Sequence, residues 1–143
     1  MAAPLEILIV DDSPTDRLIT AEALEQSSIA NRLHFAQDGV EAMEFLRKEG
    51  PHRNAPRPDM ILLDLNMPRK DGREVLADVK TDPALQLIPV VVLTTSCDHR
   101  DIRQCYALHA NCYIAKPVDF KDFTTIVQRL EEFWFAVVKL PPP

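Results

Sequence analysis

Five short apolar runs alternate with helical patterns along this chain, and that alternation limits it to a narrow set of folds. The runs are Ile7-Leu8-Ile9-Val10, Leu33-His34-Phe35-Ala36, Met60-Ile61-Leu62-Leu63, Val90-Val91-Val92-Leu93 and Cys112-Tyr113-Ile114-Ala115. The first, third and fourth are continuously apolar rather than alternating, the pattern of strands covered on both faces. Ser13-Pro14 reads as a helix start, with Ser at the cap and Pro in the first turn. It opens an apolar stripe of Leu18, Ile19 and Ala21 to Leu24. Further helices are predicted over Gly39 to Arg47, burying Val40, Met43, Phe45 and Leu46, around Val75 to Lys80 with Pro83 at the exit, over Asp98 to Leu108, and from about Asp119 to Val138. Pro51, Pro56 and Pro58 make Gly50 to Pro58 a loop. Strand and helix alternating in this way predict an α/β fold with a parallel sheet and right-handed crossovers. The chain, at 143 residues, is long enough for one self-sufficient core and shows no repeat, so residues 1–143 read as a single domain.

Charge and composition narrow the partners. Apolar residues make up 46% and charged residues 27%, as in soluble globular domains. A net charge of -6 disfavours nucleic acid, which selects basic surfaces. No apolar run approaches the ~20 residues of a membrane span, and Met1 to Glu6 lacks the pattern of a signal peptide. Cys97, Cys105 and Cys112 form no CxxC pair and read as small buried hydrophobes or a surface thiol, so a cytoplasmic location is expected. His34, His52, His99 and His109 show no metal spacing and read as solvated or capping.

The residues that follow the strands are polar. Asp11-Asp12 follow the first, Asp64 ends the third, Thr94-Thr95-Ser96 follow the fourth and Lys116-Pro117 the fifth. In open α/β sheets the carboxyl edge binds ligands where the strand order switches direction. In an order 2-1-3-4-5, strands one and three are neighbours at that point, and Asp11, Asp12 and Asp64 converge. Three close carboxylates repel one another. A hard divalent cation relieves this, and few oxygen ligands with open positions suit Mg²⁺ better than a full Ca²⁺ cage. Lys116 adds positive charge and Thr94 a hydroxyl. Asp64 then reads as a nucleophile that becomes an aspartyl phosphate. Any one such Asp is more simply a cap or turn residue, and Asp16, Asp38, Asp71 and Asp98 are read that way. The ensemble is what carries the chemistry.

The segments "ILIVDDSPTDR", "DMILLDLNMPRKDG", "PVVVLTTS" and "CYIAKPVD" together resemble the receiver domain of two-component response regulators, over about Leu5 to Leu130. The resemblance implies a flavodoxin-like (βα)5 fold with a five-stranded parallel sheet in order 2-1-3-4-5. It implies Asp64 as phosphoacceptor, Asp12 as direct Mg²⁺ ligand, Asp11 as the acid acting mainly through a water on the ion, and Asn66 as donor of a backbone carbonyl to it. Thr94 matches the switch hydroxyl, Thr95 the small residue beside it, Lys116 the contact to phosphoryl oxygens, and Tyr113 the aromatic switch. The bond to Pro117 is expected to be cis. Asn66 and Ser96 fall where side chains influence attack by water. The phosphoryl donor implied is a phosphohistidine on a sensor histidine kinase. The loop "KEGPHRNAPRP", with "LTTSCDHRDI" and "EFWFAVVKLPPP", resembles the small stand-alone regulators paired with phytochrome-type kinases. No DNA-binding output domain is expected, since no room remains for one after the last helix.

Phe123, Ile126, Val127, Leu130, Phe133, Trp134 and Val137 fall at helical spacing and form a core stripe. Phe135, Ala136 and Val138 then make Phe133 to Val138 apolar all round. The face turned from the core is expected to be covered by a partner, most simply in a twofold homodimer through Phe133, Trp134, Phe135 and Val138. Two other functions compete. An aspartate-nucleophile phosphatase carries a second acid two residues after its nucleophile, where this chain has Asn66, so the general acid for turnover is missing. A nucleotide or flavin binder needs a glycine-rich cradle, and the chain has three glycines and no P-loop motif.

Overall fold

Every one of the apolar runs is a strand in the computed structural model, which describes residues 3–27 and 29–142. The strands are β1 (Leu5–Val10), β2 (Asn31–Ala36), β3 (Met60–Leu63), β4 (Val90–Thr94) and β5 (Cys112–Ala115). They form one parallel sheet in the order β2-β1-β3-β4-β5. The connecting helices are α1 (Pro14–Glu25), α2 (Gly39–Arg47), α3 (Gly72–Thr81) and α4 (His99–Ala107), and α5 (Phe120–Glu131) follows β5. This is the doubly wound, flavodoxin-like arrangement.

The continuous apolar runs are explained by two cores. Leu8, Val10, Ile61, Leu63, Val90 and Val92 pack toward α2, α3 and α4. Their neighbours Ile7, Ile9, Met60, Leu62, Val91 and Leu93 pack toward α1 and α5. Side chains alternate across a strand, so only a sheet covered twice needs both sets apolar. The helix starts are fixed by side chains that accept backbone N–H groups: Ser13 for α1, Asp38 for α2, Asp71 for α3, Asp98 for α4 and Asp119 for α5.

Three details depart from the sequence reading. Strand β2 starts at Asn31, paired with Leu5, because β1 extends far enough to hold it. Leu18 is 58% exposed, since Ile19, Ala23 and Leu24 supply the sheet-facing side of α1. The last helix is not one α-helix to Val138: α5 ends at Glu131 and π-helical turns continue from Glu132 to Val137. A π turn carries about one residue more than an α turn, so later side chains rotate around the axis. Trp134 and Phe135 consequently pack against the core, while Phe133 and Val137 are 54% and 70% exposed. Of the residues expected to face a second copy, Phe133 is thus turned outward, and Trp134, Phe135 and Val138 are half-buried. No helix among the described residues is long and apolar enough to cross a membrane.

Candidate functional site

The site grows out of the register between β1 and β3. Val10 pairs with Leu63, so the next residue on each strand, Asp11 and Asp64, leaves the sheet at the same height. The backbone holds both: Asp11 N–H donates to the Ala36 carbonyl at 3.0 Å and Asp64 N–H to the Val10 carbonyl at 2.9 Å. Carboxylate oxygens of Asp11, Asp12 and Asp64 all lie within 4.8 Å of one another. Asp11 is buried, Asp64 half-buried and Asp12 exposed. Asp11 Oδ1 accepts the Ser13 N–H at 2.9 Å, and Asp64 Oδ1 accepts the Leu65 N–H at 2.7 Å.

Lys116 reaches this cluster from the end of β5. Its Nζ donates to Asp11 Oδ2 at 2.7 Å, to Asp16 Oδ2 at 2.9 Å and to Asp64 Oδ2 at 3.2 Å. The side chain is only 2% exposed. Burial alone would depress the ammonium, but the hydrogen bond it donates to Asp11 and the charges of Asp64 and Asp11 hold it above its ordinary value. Burial pushes the Asp11 carboxyl above the ordinary 3.8, and Lys116 offsets this only in part. One ammonium therefore serves more carboxylates than it can neutralise.

The remaining residues of the sequence reading lie around this centre. Thr94 is buried at the end of β4, Thr95 lies in a cleft beside Lys116 and Asp16, and Asn66 is exposed just beyond Asp64. Tyr113 is half-buried, and its hydroxyl donates to the Ser96 carbonyl at 2.8 Å. The Ser96 hydroxyl donates to Asp101 Oδ2 at 2.5 Å. Arg73 Nη2 donates to the other Asp101 oxygen at 2.5 Å, which ties the β4–α4 loop to α3. The Lys116–Pro117 bond is trans, against expectation: no cis peptide occurs among the described residues. Trans is the favoured X–Pro isomer by about 0.5–1 kcal/mol, and with it Lys116 N–H still reaches the Thr94 carbonyl at 2.6 Å. The sequence reading missed Asp16, Arg73 and Asp101. Lys116 lies 100 residues from Asp16, and Arg73 lies 28 from Asp101, so no local spacing signals either of these pairs.

The model for the response regulator receiver domain matches residues 7–128. The chain belongs to this family. Among the relatives of this receiver domain, response regulator Rcp1 of Synechocystis sp. is 49% identical over 138 residues, covering 96% of this chain and 94% of the relative. The phosphorylated cyanobacterial phytochrome response regulator RcpA superposes with a TM-score of 0.95 at 48% identity, covering 98% of this chain and all of the other. The Mn(2+)-bound form of Rcp1 gives 0.94 at 49% identity over 97% of this chain.

The donor set fits a hard divalent cation: oxygen ligands only, an excess of negative charge, and one acid open to solvent. Asp12→Asn is expected to raise the melting temperature in chelator by roughly 2–4 °C, because it relieves like-charge repulsion. The same variant should lose most of the rise that Mg²⁺ gives the wild type, which a thermal scan with and without the ion checks. Asp11 gives the pH direction. Its folded value is raised above 3.8, so the stability it contributes is lost as pH rises from 3.8 through that value. The metal-free protein carries this cost at neutral pH.

Proposed function

We propose that this receiver domain accepts a phosphoryl group on Asp64 from the phosphohistidine of a sensor histidine kinase. The observation that carries the reading is the convergence of three acids, within 4.8 Å, beside a buried ammonium 3.2 Å from Asp64 Oδ2. Asp11, Asp12, Asp64 and the backbone carbonyl of Asn66 would hold Mg²⁺, which when bound neutralises charge on the transferring group. An oxygen lone pair of Asp64 forms the new bond to phosphorus. The donor's phosphorus–nitrogen bond breaks, and its electron pair stays on the imidazole. Lys116 keeps its protons and binds phosphoryl oxygens. The Thr94 hydroxyl then turns to the new group, and Tyr113 leaves its bond to the Ser96 carbonyl. That shift carries the signal to the face formed by α4, β5 and α5.

Similarity to regulators whose names include phytochrome favours a phytochrome-type kinase as partner. The exposed Phe133 and Val137 favour a homodimer. Sedimentation at micromolar concentration, with and without a beryllofluoride phosphoryl mimic, tests the dimer, and a monomer in both states overturns it. For the chemistry, acetyl phosphate with Mg²⁺ is expected to add one phosphoryl group, which peptide mapping places on Asp64 and which chelator prevents. An adduct on another residue, or equal labelling in chelator, overturns the reading. Multiple-turnover hydrolysis of a small phosphomonoester would favour a phosphatase instead.

A further inference from the structure

Asp16 reads from sequence as a capping or solvated charge, yet Ser13 is the cap of α1 and the Asp16 carboxylate turns to Lys116. We infer that Asp16 is a positioning residue, holding the Lys116 ammonium over Asp64 while phosphoryl transfer proceeds. This rests on Asp64 being the phosphoacceptor.

An ammonium has three N–H donors. In Lys116 the three go to Asp11 at 2.7 Å, Asp16 at 2.9 Å and Asp64 at 3.2 Å. Two of these acceptors change role during the reaction. Asp64 becomes an acyl phosphate, and Asp11 belongs to the acid group close enough to share a cation. Asp16 lies outside that group, so it is the acceptor that stays. It is also anchored. Its N–H donates to Ser13 Oγ at 3.2 Å, its carbonyl accepts the Thr20 hydroxyl at 2.9 Å, and Pro14 sits in the same helical turn. Lys116, by contrast, ends a flexible four-carbon stem that has little geometric preference of its own. A fixed carboxylate on one N–H leaves the other two aimed at the phosphoryl oxygens. Asp16 and Lys116 also line a cleft of about 360 Å³ with Thr95, Val118 and Phe120.

The test compares Asp16→Ala with the isosteric Asp16→Asn, which keeps an oxygen acceptor. The readouts are the rate constant with acetyl phosphate at saturating Mg²⁺ and, separately, the Mg²⁺ dissociation constant by calorimetry. Asp16→Ala is expected to react about tenfold more slowly, with Mg²⁺ affinity within about threefold of wild type. Asp16→Asn is expected to recover to within about threefold of the wild-type rate. A wild-type or faster rate in Asp16→Ala overturns the inference, as the carboxylate would then only drain charge from Lys116. A loss fully accounted for by weaker Mg²⁺ binding overturns it as well. If the wild type takes no phosphoryl group on Asp64, the phosphoacceptor reading and this inference fall together. A labelled wild type beside an equally fast Asp16→Ala removes the Asp16 role alone.

Discussion

Lys116→Met is expected to destabilise the metal-free protein by about 3 kcal/mol at neutral pH, the lower end of the cost of breaking a buried ion pair. The lower end applies because its partners differ in burial: Asp11 is deeply enclosed, whereas the Asp16 side chain is 27% exposed and water can take over. Met roughly matches the stem of Lys, so packing is largely kept and the change is mostly one of charge. Denaturant melts in chelator measure the loss. Two further effects should separate the charge from the fold. Removing the ammonium that competes for Asp11 and Asp64 should tighten Mg²⁺ binding severalfold, and saturating Mg²⁺ should restore part of the stability by mass action. Phosphoryl transfer should still fall by about 10²-fold, because a preorganised cation is lost where charge develops. The pH dependence follows from the direction of each shift. Lys116 is held above its ordinary 10.5, so its contribution is complete below 10.5 and lost only as pH rises through the folded value. The stability gap to Lys116→Met should therefore stay constant through neutral pH, and it should narrow in acid as Asp11 takes up its proton. Weaker Mg²⁺ binding in the variant would contradict this account.

The legible parts of this chain were those with a local period or a local partner. Strands β1, β3 and β4 are continuous apolar runs because each is buried on both faces, and the polar residues after them mark where the sheet stops. Asp11, Asp12, Asp64 and Lys116 could be assembled in advance because a parallel sheet puts every strand's carboxyl end on one edge. Asp16 could not. An acid in the first turn of a helix has an ordinary explanation in the helix dipole, and only the folded sheet brings Lys116 to it. The Arg73–Asp101–Ser96 chain was equally silent, since it joins α3, α4 and the β4–α4 loop across the surface. The turn of Phe133 outward and Phe135 inward was misread for another reason. Helical periodicity assumes 3.6 residues per turn, and Glu132–Val137 follows a wider one.

Gly72→Ala is expected to damage both the fold and the site, and more of the site than its neighbour in kind, Gly39→Ala. A Cβ on Gly72 would lie 2.1 Å from the Asp64 carbonyl oxygen and 2.8 Å from Leu65 Cα. Both are backbone atoms, which cannot rotate aside, and the Gly72 N–H is bonded to the Leu65 carbonyl at 2.8 Å across the same contact. The start of α3 and the end of β3 must therefore separate. Overpacking of this kind costs about 3 kcal/mol, a fall of roughly 10 °C in melting temperature for a domain of this size. The displaced atoms belong to Asp64, the proposed phosphoacceptor, and to Leu65, whose N–H fixes Asp64 Oδ1. A shift near 1 Å in a reacting group can cost roughly 10²-fold in rate, so phosphorylation of Gly72→Ala should fall sharply even at low temperature, where the variant is folded. Gly39→Ala supplies the control. Its Cβ would meet the Lys70 carbonyl oxygen at 2.3 Å, in the loop that follows the site. A comparable loss of stability is expected there, with phosphorylation of the folded variant closer to wild type. If folded Gly72→Ala were labelled by acetyl phosphate as fast as the wild type, then Asp64 would not owe its position to the close approach of α3.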